Sequence, residues 1–89
     1  MAALTIRDVE LKTEYLPAQW YARTLDDRPV YIRFKYGRLS VNVGPVGGSI
    51  DEAVRSPRWY DAIVADDHDD LTFDEVCRLA GITVLAANR

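Results

Sequence analysis

The sequence predicts an α+β fold: a small single domain in which an antiparallel β-meander sheet of roughly three to five strands carries a C-terminal helix packed on one face. Three observations predict it. Apolar and polar residues alternate across Gln19–Leu25, Val30–Tyr36 and Leu39–Val43, the period-two pattern of strands with one apolar face and one wet face. Turn formers separate these runs, Asp26-Asp27-Arg28-Pro29 in the first gap and Gly37-Arg38 in the second. Leu71–Ile82 then places apolar residues at helical spacing between a capping box and a glycine. The 89 residues are enough for one core, and a division in two would leave neither half with one.

Each element follows from local chemistry. In Leu4–Lys12, Leu4 and Ile6 fall in one phase of the alternation and Val9 and Leu11 in the other, the slip of a bulged strand or of two short pieces. Tyr15-Leu16-Pro17 reads as an irregular entry to the meander, because proline restricts the residue before it. Within the meander Val30, Ile32, Phe34 and Tyr36 share the apolar face, and Tyr31, Arg33 and Lys35 share the other. Gly44-Pro45-Val46-Gly47-Gly48 cannot continue a central strand and is the clearest break after the meander. Ser49 and Glu52 have capping-box spacing, so a short helix begins at Ile50 and stops at Ser56-Pro57.

Arg58–Ala65 fits two descriptions. Trp59/Ile63 and Tyr60/Val64 are spaced as on a helix, yet the same residues are strong strand formers, which tips the segment towards strand without settling it. The helix after it is capped by Thr72 and Glu75, with Leu71 placed to staple onto Val76. Its stripe is Phe73, Val76, Cys77 and Ala80, Gly81 takes the left-handed cap, and Ile82 folds back towards Cys77. Ile82–Ala86 is a final strand or an extended tail. The expected core is Trp20, Val30, Ile32, Phe34, Leu39, Val41, Val43, Phe73, Val76, Cys77 and Ala80.

Net charge is -3, and its distribution says more than its sum. The meander holds Arg23, Arg28, Arg33, Lys35 and Arg38 against Asp26 and Asp27, whereas residues 49–75 are strongly acidic. No apolar run approaches the ~20 residues of a membrane span. The N-terminal residues lack the basic start and long apolar stretch of a secretory signal. Cys77, the single cysteine, excludes an internal disulfide. Together these features favour a reducing, cytoplasmic setting.

Two surfaces are candidates for binding. Asp66, Asp67, Asp69 and Asp70 surround His68 in one acidic run. The run lacks the glycine and the distal glutamate of an EF-hand, and acidic residues before a helix also suit its positive end, so no metal is assigned. The second surface is the sheet face carrying Tyr21, Arg23, Tyr31, Arg33 and Lys35. Tyrosines can stack bases while cations meet phosphates, although an acidic chain attracts nucleic acid weakly from a distance.

Gly44–Ser49 resembles an anion-cradling loop but has neither the P-loop lysine nor a G-x-G-x-x-G. Cys77 lies on the apolar stripe as a buried, inert thiol. No nucleophile–base set stands out by spacing, so the reading is not an enzyme and needs no cofactor. The expected function is a non-catalytic protein-interaction module, such as a small inhibitor, immunity or phage-type accessory protein, docking its acidic patch on a basic protein partner. The alternative is single-stranded nucleic-acid binding on the Tyr/Arg/Lys face. A homodimer through an open sheet edge, at the meander's outer strand or the last strand, is a further expectation.

Overall fold

A middle strand flanked on both sides by neighbours organises the molecule. The computed structural model describes residues 4–13, 18–64 and 71–85. Its elements are β1 (Leu4–Thr13), β2 (Ala18–Thr24), β3 (Pro29–Lys35), β4 (Arg38–Val43), α1 (Ile50–Val54), β5 (Arg58–Ile63), α2 (Phe73–Ala80) and β6 (Ile82–Val84). The strands form one sheet in the order β5-β4-β3-β2-β1-β6. Neighbours pair antiparallel, except that β6 runs parallel to β1.

Register follows from the alternation. Ile32 sits between Trp20 of β2 and Val41 of β4, Val30 between Ala22 and Val43, and Phe34 between Ala18 and Leu39. Directly opposed residues share a face, so these rungs make one continuous apolar surface. Helix α2 covers it with Val76, Cys77 and Ala80, and Phe73 lies 5.4 Å from Trp20, ring centre to ring centre. Ile6, Val30, Ile32, Leu39, Val41 and Val76 lose all contact with solvent. Burying each such side chain stabilises the fold by about 1.5–3 kcal/mol.

Both expected capping boxes form. Ser49 accepts from the Glu52 amide and Thr72 from the Glu75 amide, and each glutamate reaches back to its cap's own N–H. Gly81 ends α2 at φ 75°, with its N–H donating to the Cys77 carbonyl. The phase slip in β1 is a bulge between Arg7 and Glu10, with Asp8 at φ 56°. Arg58–Ile63 is a strand, and it too is bulged: Val41 pairs with Tyr60 and Asn42 with Arg58, leaving Trp59 as the extra residue. The Tyr15–Pro17 entry lies outside the described residues.

The structure corrects four expectations. The sheet has six strands and is mixed, because Gly81 turns the chain so that Ile82–Val84 fills the free side of β1. Its edges are therefore β5 and β6; the meander's outer strand, β4, is covered by β5. Tyr36 leaves the apolar face: with Gly37 it forms a two-residue turn, the two at φ 52° and 79°, so β3 ends at Lys35. A two-residue hairpin of this twist needs positive φ at both central positions, and that requirement overrides the alternation. The core also gains Ile6, Ala22 and Ile82, while Val43 and Phe73 pack against it half-buried.

The last correction concerns the second face, which is not uniformly wet. Helix α1 rests on it against β3 and β4. Ala53 is fully buried there, apart from the main core. Asn42 donates from Nδ2 to the carbonyls of Val54 at 3.3 Å and Ser56 at 3.0 Å, holding the end of α1 to the sheet.

Two substitutions test this packing by urea unfolding. Ile32→Ala should lose about 2–5 kcal/mol, the range for a buried aliphatic truncated to alanine. Gly44→Ala places a methyl 2.8 Å from Pro29 Cγ and 3.1 Å from Ala53 Cα, and should cost about 1–3 kcal/mol by overpacking. A Gly44→Ala protein as stable as the parent would mean that α1 is not seated closely on the sheet.

Candidate functional site

Cross-strand pairing builds the second face rung by rung. One rung is Tyr21, Tyr31 and Asn42; the next is Gln19, Arg33, Ser40 and Asp61; the third is Lys35, Arg38 and Ile63. The predicted row of Tyr21, Arg23, Tyr31, Arg33 and Lys35 does share this face, but it divides into two ends with different fates.

At the first end the groups are engaged within the protein. Arg23 donates from Nε to Asp27 at 2.6 Å, and from Nη2 to the carbonyls of Asp27 and Gly48, each at 3.0 Å. Ile50 of α1 lines a small hollow with Tyr21 and Arg23. The rings of Tyr21 and Tyr31 tilt against each other at 6.0 Å and 58°. Burial pushes the Tyr31 phenol above its ordinary range, against the nearby Arg33 charge.

The second end is open and cationic. Arg33, Lys35, Arg38 and Arg58 surround a hollow of about 310 Å³, with Ser40 in its lining and Tyr36 and Ile63 beside it. Asp61 is the carboxylate among them. Arg38 holds it with two parallel bonds of 2.7 Å, and Arg58 Nη1 adds a third at 2.8 Å. These bonds, Arg38 first and then Arg58, hold the Asp61 carboxyl well below the usual carboxylate range. Lys35 Nζ stands 5.1 Å from the centre of the Tyr36 ring. Arg33 Nε is buried with no hydrogen-bond partner among the described residues.

The remaining candidates fall elsewhere. Asp66, Asp67, Asp69 and Asp70, with His68, lie outside the described residues. The Gly44–Ser49 loop spends its amides on the protein: Gly44 donates to Pro29, Gly47 to Asp27 and Gly48 to Pro45. Burial and the charge of Asp74 push the buried Cys77 thiol up to about 11, so it is protonated at neutral pH. Among the described residues, no three His, Cys, Asp or Glu side chains gather as a metal site. No described helix is long and apolar enough to cross a membrane.

Sequence reasoning named Arg33 and Lys35 but missed Arg38, Ser40, Arg58, Tyr36 and Ile63. Part of the signal was present. Once Tyr36-Gly37 is taken as the two-residue turn, Lys35 must face Arg38 and Arg33 must face Ser40. Arg58 and Ile63 carry no such signal, since they join only through the bulged pairing of β5. Comparison with protein-family models, with curated proteins and with solved structures finds no match.

Asp61 gives this site an acid signature. Its folded pKa lies below the ordinary aspartate value of 3.8, so the stability it supplies is complete above that value and drains away as pH falls below it. Between about pH 5 and about pH 2 the parent should therefore lose more thermal stability than Asp61→Asn. Parallel acid slopes for the two proteins would show that Arg38 and Arg58 do not hold the carboxylate in solution.

Proposed function

We propose that this domain is a non-catalytic protein-interaction module, and that it docks an acidic partner on the cationic end of the second sheet face. One observation carries the reading: Tyr36 and Ile63 are 60% and 69% exposed and stand at a hollow lined by Arg33, Lys35, Arg38 and Arg58. Large apolar anchors beside arginines are the composition of interface hot spots, where the apolar groups supply affinity and the charges supply orientation. The polarised charge noted in the sequence then works with the opposite sign, because the basic surface is the one this geometry assembles.

The charge of the whole chain favours protein over nucleic acid as the partner. A net charge of -3 repels an extended polyanion at long range, whereas a protein with one local acidic segment meets only the local field. Among the described residues the exposed aromatic is also a single ring, Tyr36 at a turn, not a series on which successive bases would stack.

Surface plasmon resonance tests the reading, using a protein captured from extracts of the source cells and then purified. Ile63→Asp and Tyr36→Ala should each weaken its binding at least about tenfold, or ~1.4 kcal/mol. Leu79→Asp, on the exposed side of α2, should bind like the parent. The association rate should fall as salt rises. Binding indifferent to Ile63 and Tyr36, or abolished by Leu79→Asp, would remove this surface from the function.

A further inference from the structure

The hollow has a more specific chemistry than a general attraction to acid. Arg33 lines the hollow, and its Nε is buried without a hydrogen-bond partner among the described residues. A buried cationic donor left unmet is unfavourable, so the Arg33 guanidinium gains from an anion brought against it. The neighbouring cations are partly spent. Asp61 takes two donors from Arg38 and one from Arg58, while Arg33 and Lys35 make no hydrogen bond to it. Among the described residues, four cations against one carboxylate leave three positive charges around the hollow.

We propose that this hollow is a phosphate-monoester site, filled by a phosphorylated side chain of the partner that docks on Tyr36 and Ile63. The inference rests on the docking reading above and names the group recognised there. Arg33 supplies the planar guanidinium that lines the hollow, a fork that matches phosphate oxygens two at a time. Lys35 supplies a point charge, Arg58 the guanidinium nitrogens that Asp61 does not hold, and Ser40 a hydroxyl on the same rung as Arg33.

Charge selects the monoester over its rivals. A dianionic phosphate reduces the local excess from three charges to one, whereas a carboxylate leaves two. Each phosphodiester of a nucleic acid likewise carries a single charge, and its backbone would also meet the repulsion of the acidic chain. Size agrees: about 310 Å³ lies at the small end of the ~300–1,000 Å³ range of ligand pockets. Such a space takes a head group and leaves the rest of the ligand outside, where Tyr36 and Ile63 stand.

Nitrogen-15 NMR of the intact domain, following the Arg33 Nε–H signal at constant ionic strength, tests the proposal. The probes are phenyl phosphate, benzoate and a single-stranded oligonucleotide. Phenyl phosphate should shift the signal saturably and bind at least tenfold more tightly than benzoate. Arg33→Gln should abolish binding. Arg33→Lys, which keeps the charge but not the fork, should weaken it several-fold in a protein whose remaining spectrum is unchanged. Asp61→Asn, which releases Arg38 and Arg58, should tighten it.

No saturable shift with phenyl phosphate, or equal binding of benzoate, would overturn the proposal. Tighter binding of the oligonucleotide at the same residues would replace it with a nucleic-acid face. The docking reading fails separately. A captured partner that needs Ile63 yet binds as well after phosphatase treatment leaves docking intact and sinks the phosphate site. Phenyl phosphate bound at Arg33, with a partner indifferent to Ile63, does the reverse.

Discussion

Everything in this molecule depends on the two-sidedness of β3. Its even residues Val30, Ile32 and Phe34 are buried between the apolar rungs of β2 and β4, and that burial fixes the register of three strands together. A slip by one residue would send these side chains to the opposite face and bring Tyr31, Arg33 and Lys35 beneath α2. The core therefore decides where the cations go. Arg33 and Lys35 are held on the second face by the cost of placing Ile32 and Phe34 anywhere but inside, not by any attraction of their own.

Asp61 plays the corresponding part for the polar side. Without it, Arg38 and Arg58 would repel each other across the β4–β5 pair. With it, two guanidinium groups are held in fixed positions while Arg33 and Lys35 keep their charge available. The bulge at Trp59 makes this possible. It shifts the start of β5 so that Arg58 lies opposite Asn42 and still reaches Asp61, and it leaves Trp59 packed against the core. Both helices take part in setting the limits of the site. Helix α2 completes the core from below, and α1, anchored through Asn42, rests on the second face against β3 and β4 and leaves the β3–β5 corner open.

Much of this was legible in the sequence wherever one local rule acted alone. The capping boxes at Ser49 and Thr72, the glycine stop at Gly81, the phase slip in β1 and the apolar alternation of the meander are all patterns among residues close in sequence. The misreadings arose where two rules competed. Tyr36 satisfies the alternation of β3, but the hairpin needs a left-handed pair at Tyr36-Gly37, and the turn prevailed because the register depends on it. Ile82–Val84 carries strand propensity, but nothing local shows that its partner is the opposite end of the chain. The site suffered most from this limit. Its cations come from three strands, and a stretch with helical spacing, Arg58–Ala65, had to be a bulged strand before Arg58 could stand beside Arg38. Long-range pairing of that kind leaves no periodic trace.

The acidity of the chain and the basic hollow are two parts of one selectivity argument. A uniformly basic domain would gather any polyanion, since counterion release rewards every phosphate it neutralises regardless of sequence. Here four of the cations gather at one corner, one of their number is bonded twice to an internal carboxylate, and the remainder of the chain carries a net negative charge. Long-range attraction is thereby suppressed while short-range attraction is kept. A ligand must bring its negative charge into the hollow itself to gain from Arg33 and Lys35, and must then match Tyr36 and Ile63 to remain. Discrimination of this sort comes from what is repelled as much as from what is held. It favours a compact anionic group displayed on an otherwise compatible protein surface over an extended charged chain.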